Sequence, residues 1–229
     1  VIGAYFNYLL VAPRLRAYSE LSDDAITIPD FFEKRFNDKS HALRVISSVV
    51  IVIFFTLYTS SGVVAGGKLF EVSFGLSYEL GLFLTAGVVV AYTLFGGFLA
   101  VSITDFVQGC IMFAALILVP TVALFILDGP QAVSSTVASI DPSMLSWTKG
   151  LTAFGLISSI SWGLGYFGQP HIIVRFMAIR SLPEITTARR IGMSWMIVTV
   201  IGAVATGILG LAYVTSTSAT LDDPENIFV

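Results

Sequence analysis

Five stretches of this chain contain no Asp, Glu, Lys or Arg: Val45 to Gly67, Leu80 to Thr104, Phe106 to Leu127, Gly150 to Val174 and Ile191 to Leu221. Each exceeds the roughly 20 apolar residues a helix needs to cross about 30 Å of hydrocarbon. A sixth run, Val1 to Pro13, is too short to cross. With no initiator Met and no basic leader before it, it reads as a truncated span rather than a signal peptide, and the chain as a fragment. The bilayer is the natural solvent. At 55% hydrophobic and 12% charged residues, with a mean hydropathy of +0.87, a globule in water would expose more apolar surface than its charges could cover. The expected fold is all-α, a polytopic membrane helix bundle forming one truncated transmembrane domain over residues 1–229. It would comprise a partial span at 1–13, a cytoplasmic loop at 14–44, and spans near 45–67, 78–97, 100–127, 150–178 (broken) and 190–214.

Composition also removes several classes of function. A net charge of −3 lacks the clustered basic face that nucleic acid requires. The single cysteine, Cys110, cannot form an intrachain disulfide, and no Cys/His cluster has metal-ligand spacing, so no metal site and no bound cofactor is expected. Gly66-Gly67-Lys68 is too short to imitate a phosphate-binding loop, so ATP bound to this chain would not power it. Nothing points to an enzyme.

Basic residues near span ends are retained on the cytoplasmic side. Arg14, Arg16, Lys34, Arg35, Lys39 and Arg44 fall in one loop and Arg175, Arg180, Arg189 and Arg190 in another, leaving only Lys68 and Lys149 for the alternate loops. The first two loops are therefore read as cytoplasmic and the acidic tail Asp222, Asp223, Glu225 as external. Within the first loop, Thr27-Ile-Pro-Asp30 predicts a helix start, with Phe32 and Phe36 then sharing a face. Gly62-Val-Val-Ala-Gly66 and the Ala203/Gly207 pair predict close helix packing.

The fourth complete span is unusual. Trp162-Gly-Leu-Gly-Tyr-Phe-Gly-Gln-Pro-His171 places three glycines and a proline where lipid could not satisfy a freed backbone. Broken helices of this kind carry the binding sites of secondary transporters. Pro170 suits the first turn of a second half-helix, whose N–H groups would offer a positive end to a carboxylate. Trp162, Tyr166 and Gln169 would share one face if the helix ran that far, giving two aromatic surfaces and an amide. His171 reads as a histidine tied to nearby carbonyls or as a proton carrier. Asp105 alone separates two charge-free runs. With Ser102 and Thr104 it offers the oxygen ligands a hard cation prefers, although a carboxylate about two turns beyond Gly96-Gly97 also gains from a helix N-terminus. Tyr58 heads a hydroxyl cluster, Tyr58-Thr-Ser-Ser61, and is the member expected to face a cavity.

These residues also resemble a known family. Gly75, Tyr78 and Tyr92-Thr-Leu-Phe-Gly-Gly-Phe-Leu-Ala100 are similar to the signature of the sodium/solute symporters. Arg14-Leu-Arg16, Thr27-Ile-Pro-Asp-Phe-Phe32, Leu99-Ala-Val-Ser-Ile-Thr-Asp105 and the Trp162–His171 stretch resemble most closely the proline-transporting members. The resemblance implies a fragment of a LeuT-type inverted-repeat fold in the plasma (inner) membrane, working by alternating access. It implies sodium-coupled import of L-proline, with Na+ as coupling ion and proline as solute. The alternatives are another amino acid or carboxylate solute, or a transporter-like membrane module of a sensor protein. Substrate contacts would fall on Trp162, Tyr166, Gln169, Pro170 and Tyr58, and the sodium pathway on Asp105, Ser102 and Thr104. Much of the sodium site itself would lie on helices this chain does not match.

Overall fold

A computed structural model describes residues 1–146, 149–150 and 152–217, and these form helices and connecting turns without a strand. The acidic tail at Asp222, Asp223 and Glu225 lies outside the described residues. In chain order the helices are α1 (Ile2–Phe6), a π-helical turn (Asn7–Val11), α2 (Ala12–Leu21), α3 (Ile28–Phe36), α4 (Ala42–Phe74), α5 (Tyr78–Ile126) and α6 (Pro130–Ile140). A short 3₁₀ turn (Pro142–Leu145), α7 (Ala153–Gly165), α8 (Pro170–Met177) and α9 (Leu182–Thr217) follow. Among the described residues, α4, α5 and α9 are long and apolar enough to cross a membrane. At 1.5 Å per residue the 49 residues of α5 would extend about 74 Å, enough for two crossings. By contrast α7 and α8, at 13 and 8 residues, are each too short for one. Large side chains such as Phe95 (93% exposed) point away from the protein, as suits a surface that meets acyl chains.

The chain divides into two compact units, Val1–Thr56 with Gly150–Ile197 and Leu57–Lys149 with Val198–Val229. In the first, α1, the π turn and α2 form one helical run that continues past the apolar stretch as far as Leu21. A small core joins Ala12, Phe176 and Ile185, with Tyr8, Leu15, Ile172 and Ile179 packed around it. Helix α3 starts where the Thr27 hydroxyl accepts the Asp30 N–H at 3.4 Å, has Pro29 in its first turn, and ends at Asn37 in the left-handed region (φ 50°). The Asp38 carboxylate then accepts the N–H groups of Ser40 (2.9 Å) and Leu43 (2.8 Å), opening α4. Arg44 ties α4 back to α3 through Asp30 and Glu33, and Lys34 pairs with Asp30 at 3.1 Å.

In the second unit the outer part of α4 and the start of α5 form a hairpin closed by small residues. A Cβ on Gly67 would come within 2.9 Å of the Tyr78 ring, and one on Gly66 within 2.5 Å of Thr85. The turn uses Gly75 at φ +65°. Of the Gly62/Gly66 pair only Gly66 is packed, since a Cβ on Gly62 would meet nothing within 4 Å. The second small pair is displaced in the same way: Gly202 lies against the backbone of Leu116, while a Cβ on Gly207 would meet nothing within 4 Å and Ala203 is exposed. Neighbouring helical positions point about 100° apart, so a run of small residues does not by itself identify the facing one. The kink in α5 is at Gly97, at φ 53° and ψ −145°, within the Gly96-Gly97 pair that the sequence marks as a turn. Val133, Val137, Leu209 and Ala212 form this unit's core, joining α6 to α9.

Candidate functional site

The interruption between α7 and α8 follows from the residues that make it. Phe167 and Gly168 donate to Leu164 and Gly165, each at 3.1 Å, in a tight turn, and Gln169 is extended at φ −76°, ψ 112°. Pro170 imposes the extended conformation on the residue before it and then supplies the preset φ of a first helical turn. Tyr166, at the end of α7, keeps helical angles (φ −59°, ψ −28°). Trp162 and Tyr166 therefore share a face, while Gln169 lies past the break and does not join them.

Beside the break α1 packs on α7, and a cleft of about 780 Å³ opens between them, walled by Phe6 and Leu10 on one side and by Trp162, Tyr166 and Phe167 on the other. Trp162 is 80% exposed and Tyr166 half-buried. Gln169 and Pro170, both half-buried, stand off the cleft wall. The His171 ring meets the edge of Phe55 at 5.8 Å.

One residue here was not singled out in the sequence. Asn7 is completely buried in the π turn, and its Nδ2 donates to the main-chain carbonyl of Tyr166 at 2.8 Å. Its signal was present, as the one amide side chain in the run Val1 to Pro13. At the other end of α8, Arg16 donates to the Met177 carbonyl at 3.3 Å and pairs with Asp24 at 3.2 Å. Between these points Tyr8 packs edge-on against Phe176 at 4.8 Å.

Tyr58, Ser102, Thr104 and Asp105 belong to the second unit. Asp105 lies two turns beyond the Gly97 kink and is half-buried. Ser102 donates to Phe98 at 2.8 Å, and Thr104 to Val101 at 2.9 Å and Ala100 at 3.0 Å. Their hydrogens are thus turned to helix carbonyls, which leaves oxygen lone pairs for a cation. Tyr58 is 63% exposed. Among the described residues no three His, Cys, Asp or Glu side chains gather as a transition-metal site would require.

A broken helix with an aromatic cleft in an apolar bundle is what the known relatives of this chain bear on. The profile of the sodium:solute symporter family matches residues 1–224. The chain belongs to that family. It is 60% identical over 228 residues to the osmoregulated proline transporter OpuE of Bacillus subtilis and 57% identical to the sodium/proline symporter of Staphylococcus aureus. All of this chain is covered in both cases, against 46% and 44% of those proteins, so it spans less than half their length. No solved structure matches it. As a member of the sodium:solute symporter family, the chain is multi-pass and membrane-embedded.

Proposed function

We propose that the protein containing this chain is a secondary active transporter that imports L-proline together with sodium across the plasma membrane by alternating access. The observation that carries the reading is the break from Tyr166 to Gln169 beside the Trp162–Tyr166 cleft. The names of the two relatives, at 57–60% identity over the whole chain, narrow the solute to proline.

The chemistry is that of binding and release, with no covalent step. An unwound segment at membrane depth offers polar backbone in a low-dielectric setting, where a zwitterion can exchange its water shell for fixed dipoles. The start of α8 presents a positive helix end to the solute carboxylate, with Gln169 and Pro170 beside it. Trp162 and Tyr166 offer flat surfaces to the pyrrolidine ring. Asp105, supported by Ser102 and Thr104, supplies a carboxylate and hydroxyl oxygens along the sodium path, and the inward sodium gradient drives the solute.

The test is uptake of labelled proline into proteoliposomes holding the full-length protein, with and without a sodium gradient. Saturable uptake that collapses without sodium is expected. Sodium-independent uptake, or preference for a different amino acid or carboxylate over proline, would reject it.

A further inference from the structure

Proline at position 170 has a consequence four residues upstream. In an uninterrupted α-helix the carbonyl of Tyr166 would accept the N–H of residue 170, and proline has none. Leaving that carbonyl bare at membrane depth is costly, because no water is at hand to satisfy it. The structure supplies a donor from 159 residues away, the buried Asn7 amide at 2.8 Å. Only the nitrogen of the amide can face a carbonyl oxygen, so its orientation is set. Asn7 sits in a π-helical turn, a local widening that redirects side chains and recurs at functional positions.

We infer that Asn7 is a positioning residue for the solute site: it replaces the hydrogen bond that Pro170 removes, and so fixes the Tyr166 peptide and the direction in which the Tyr166 ring enters the cleft. The inference rests on the proposed site at Trp162 and Tyr166. Asn7 does not touch solute in this scheme, since its side chain is enclosed and its amide nitrogen donates to the main chain. Its effect reaches the solute through Tyr166. The break is thereby held in one shape before solute arrives, which lowers the ordering cost of binding.

The experiment uses the full-length protein in proteoliposomes, with wild type, Asn7→Leu and Asn7→Asp each made with and without Pro170→Ala. Asn7→Leu, similar in volume but without a donor, is expected to raise the KM for proline about tenfold while the maximal rate stays within about twofold. In the Pro170→Ala background, where residue 170 regains its N–H, the same change should raise KM at most about twofold over that background. Asn7→Asp keeps the shape, and its carboxyl can donate to the Tyr166 carbonyl only when protonated. Its KM should therefore approach wild type at acid pH and rise with pH more steeply than wild type does. If Asn7→Leu does not reach the membrane, Asn7→Asp decides. An unchanged KM in the variant that decides, or an equal loss in both Pro170 backgrounds, would overturn the inference.

Should wild type itself fail to take up proline, the substrate reading falls, and Asn7 is judged without solute. Thiol labelling of Gly168→Cys in a cysteine-free background should then accelerate severalfold on Asn7→Leu. An unaltered labelling rate would overturn the positioning role.

Discussion

Gly3 lies directly against the backbone of Gly163: a Cβ at position 3 would fall 2.8 Å from the Gly163 carbonyl carbon and closer still to its oxygen. Both residues belong to the cleft wall, three residues before Tyr166 in one case and four before Asn7 in the other. Because the obstacle is main chain rather than a flexible side chain, α1 and α7 would have to part to admit a methyl group. Gly3→Ala is expected to destabilise the full-length protein by about 1–3 kcal/mol, the usual cost of overpacking. It should also weaken proline affinity, because the cleft widens. The midpoint of thermal unfolding in detergent and the proline KM check this, and two unchanged values would remove the contact from the account.

The second unit offers an internal control. Gly202 faces the Leu116 backbone, while a Cβ at Gly207, five residues later on the same helix, would meet nothing within 4 Å. Gly202→Ala should destabilise by about 1–3 kcal/mol through overpacking. Gly207→Ala should be neutral, or stabilise by up to about 1 kcal/mol from helix propensity. Paired thermal melts decide it, and equal effects at both positions would mean that α9 faces its neighbour through a different stripe.

Asp38 gives the α3–α4 connection an acid sensitivity of predictable sign. The Ser40 hydroxyl and then the Leu43 N–H bond to the ionised form and hold the carboxyl below its ordinary value of 3.8. A depressed folded-state pKa means that the contribution is complete well above 3.8 and is lost as pH falls through the lower folded value. Asp38 lies at the surface, half-buried in its turn, so the consequence is local. At neutral pH, Asp38→Ala should speed hydrogen exchange at the Ser40 and Leu43 amides by at least about threefold, and at strongly acid pH wild type and variant should converge. Exchange that differs equally at both pH values would contradict the assignment.

Hydropathy was a sound guide to where helices lie because desolvation acts on whole segments, and the Gly/Pro composition before His171 was a sound guide to the break because it acts on backbone bonds four residues apart. The helices nevertheless outrun their apolar cores. The charged Lys68 and Glu71 remain in α4, and Glu184, Arg189 and Arg190 in α9, because a helix has no need to stop where hydrocarbon does. What stayed hidden was facing. The Asn7–Tyr166 bond joins residues 159 apart, and nothing in either local pattern names the other. The packed glycines matched the expected ones only at Gly66 for the same reason, since composition specifies that small residues are present and tertiary packing selects among them.

The proposed roles of Tyr166 and Asp105 separate into two measurable dependences. Tyr166 lines the cleft, so Tyr166→Ala removes the proposed solute contact and leaves the residues around Asp105 untouched in sequence. It should raise the proline KM tenfold or more, equivalent to about 1.4 kcal/mol, at saturating sodium. Asp105→Asn keeps shape and hydrogen-bonding capacity but withdraws the charge that a cation would meet, so its main effect should fall on the sodium concentration for half-maximal uptake. A rise of about tenfold there is expected, since losing a carboxylate ligand costs a hard cation at least as much as one good polar contact. At saturating sodium its proline KM should return to near wild type. Uptake measured across a grid of proline and sodium concentrations distinguishes the two. A Tyr166→Ala protein altered only in sodium dependence, or an Asp105→Asn protein altered only in proline dependence, would require the roles to be exchanged, and unchanged behaviour in either would return that residue to packing.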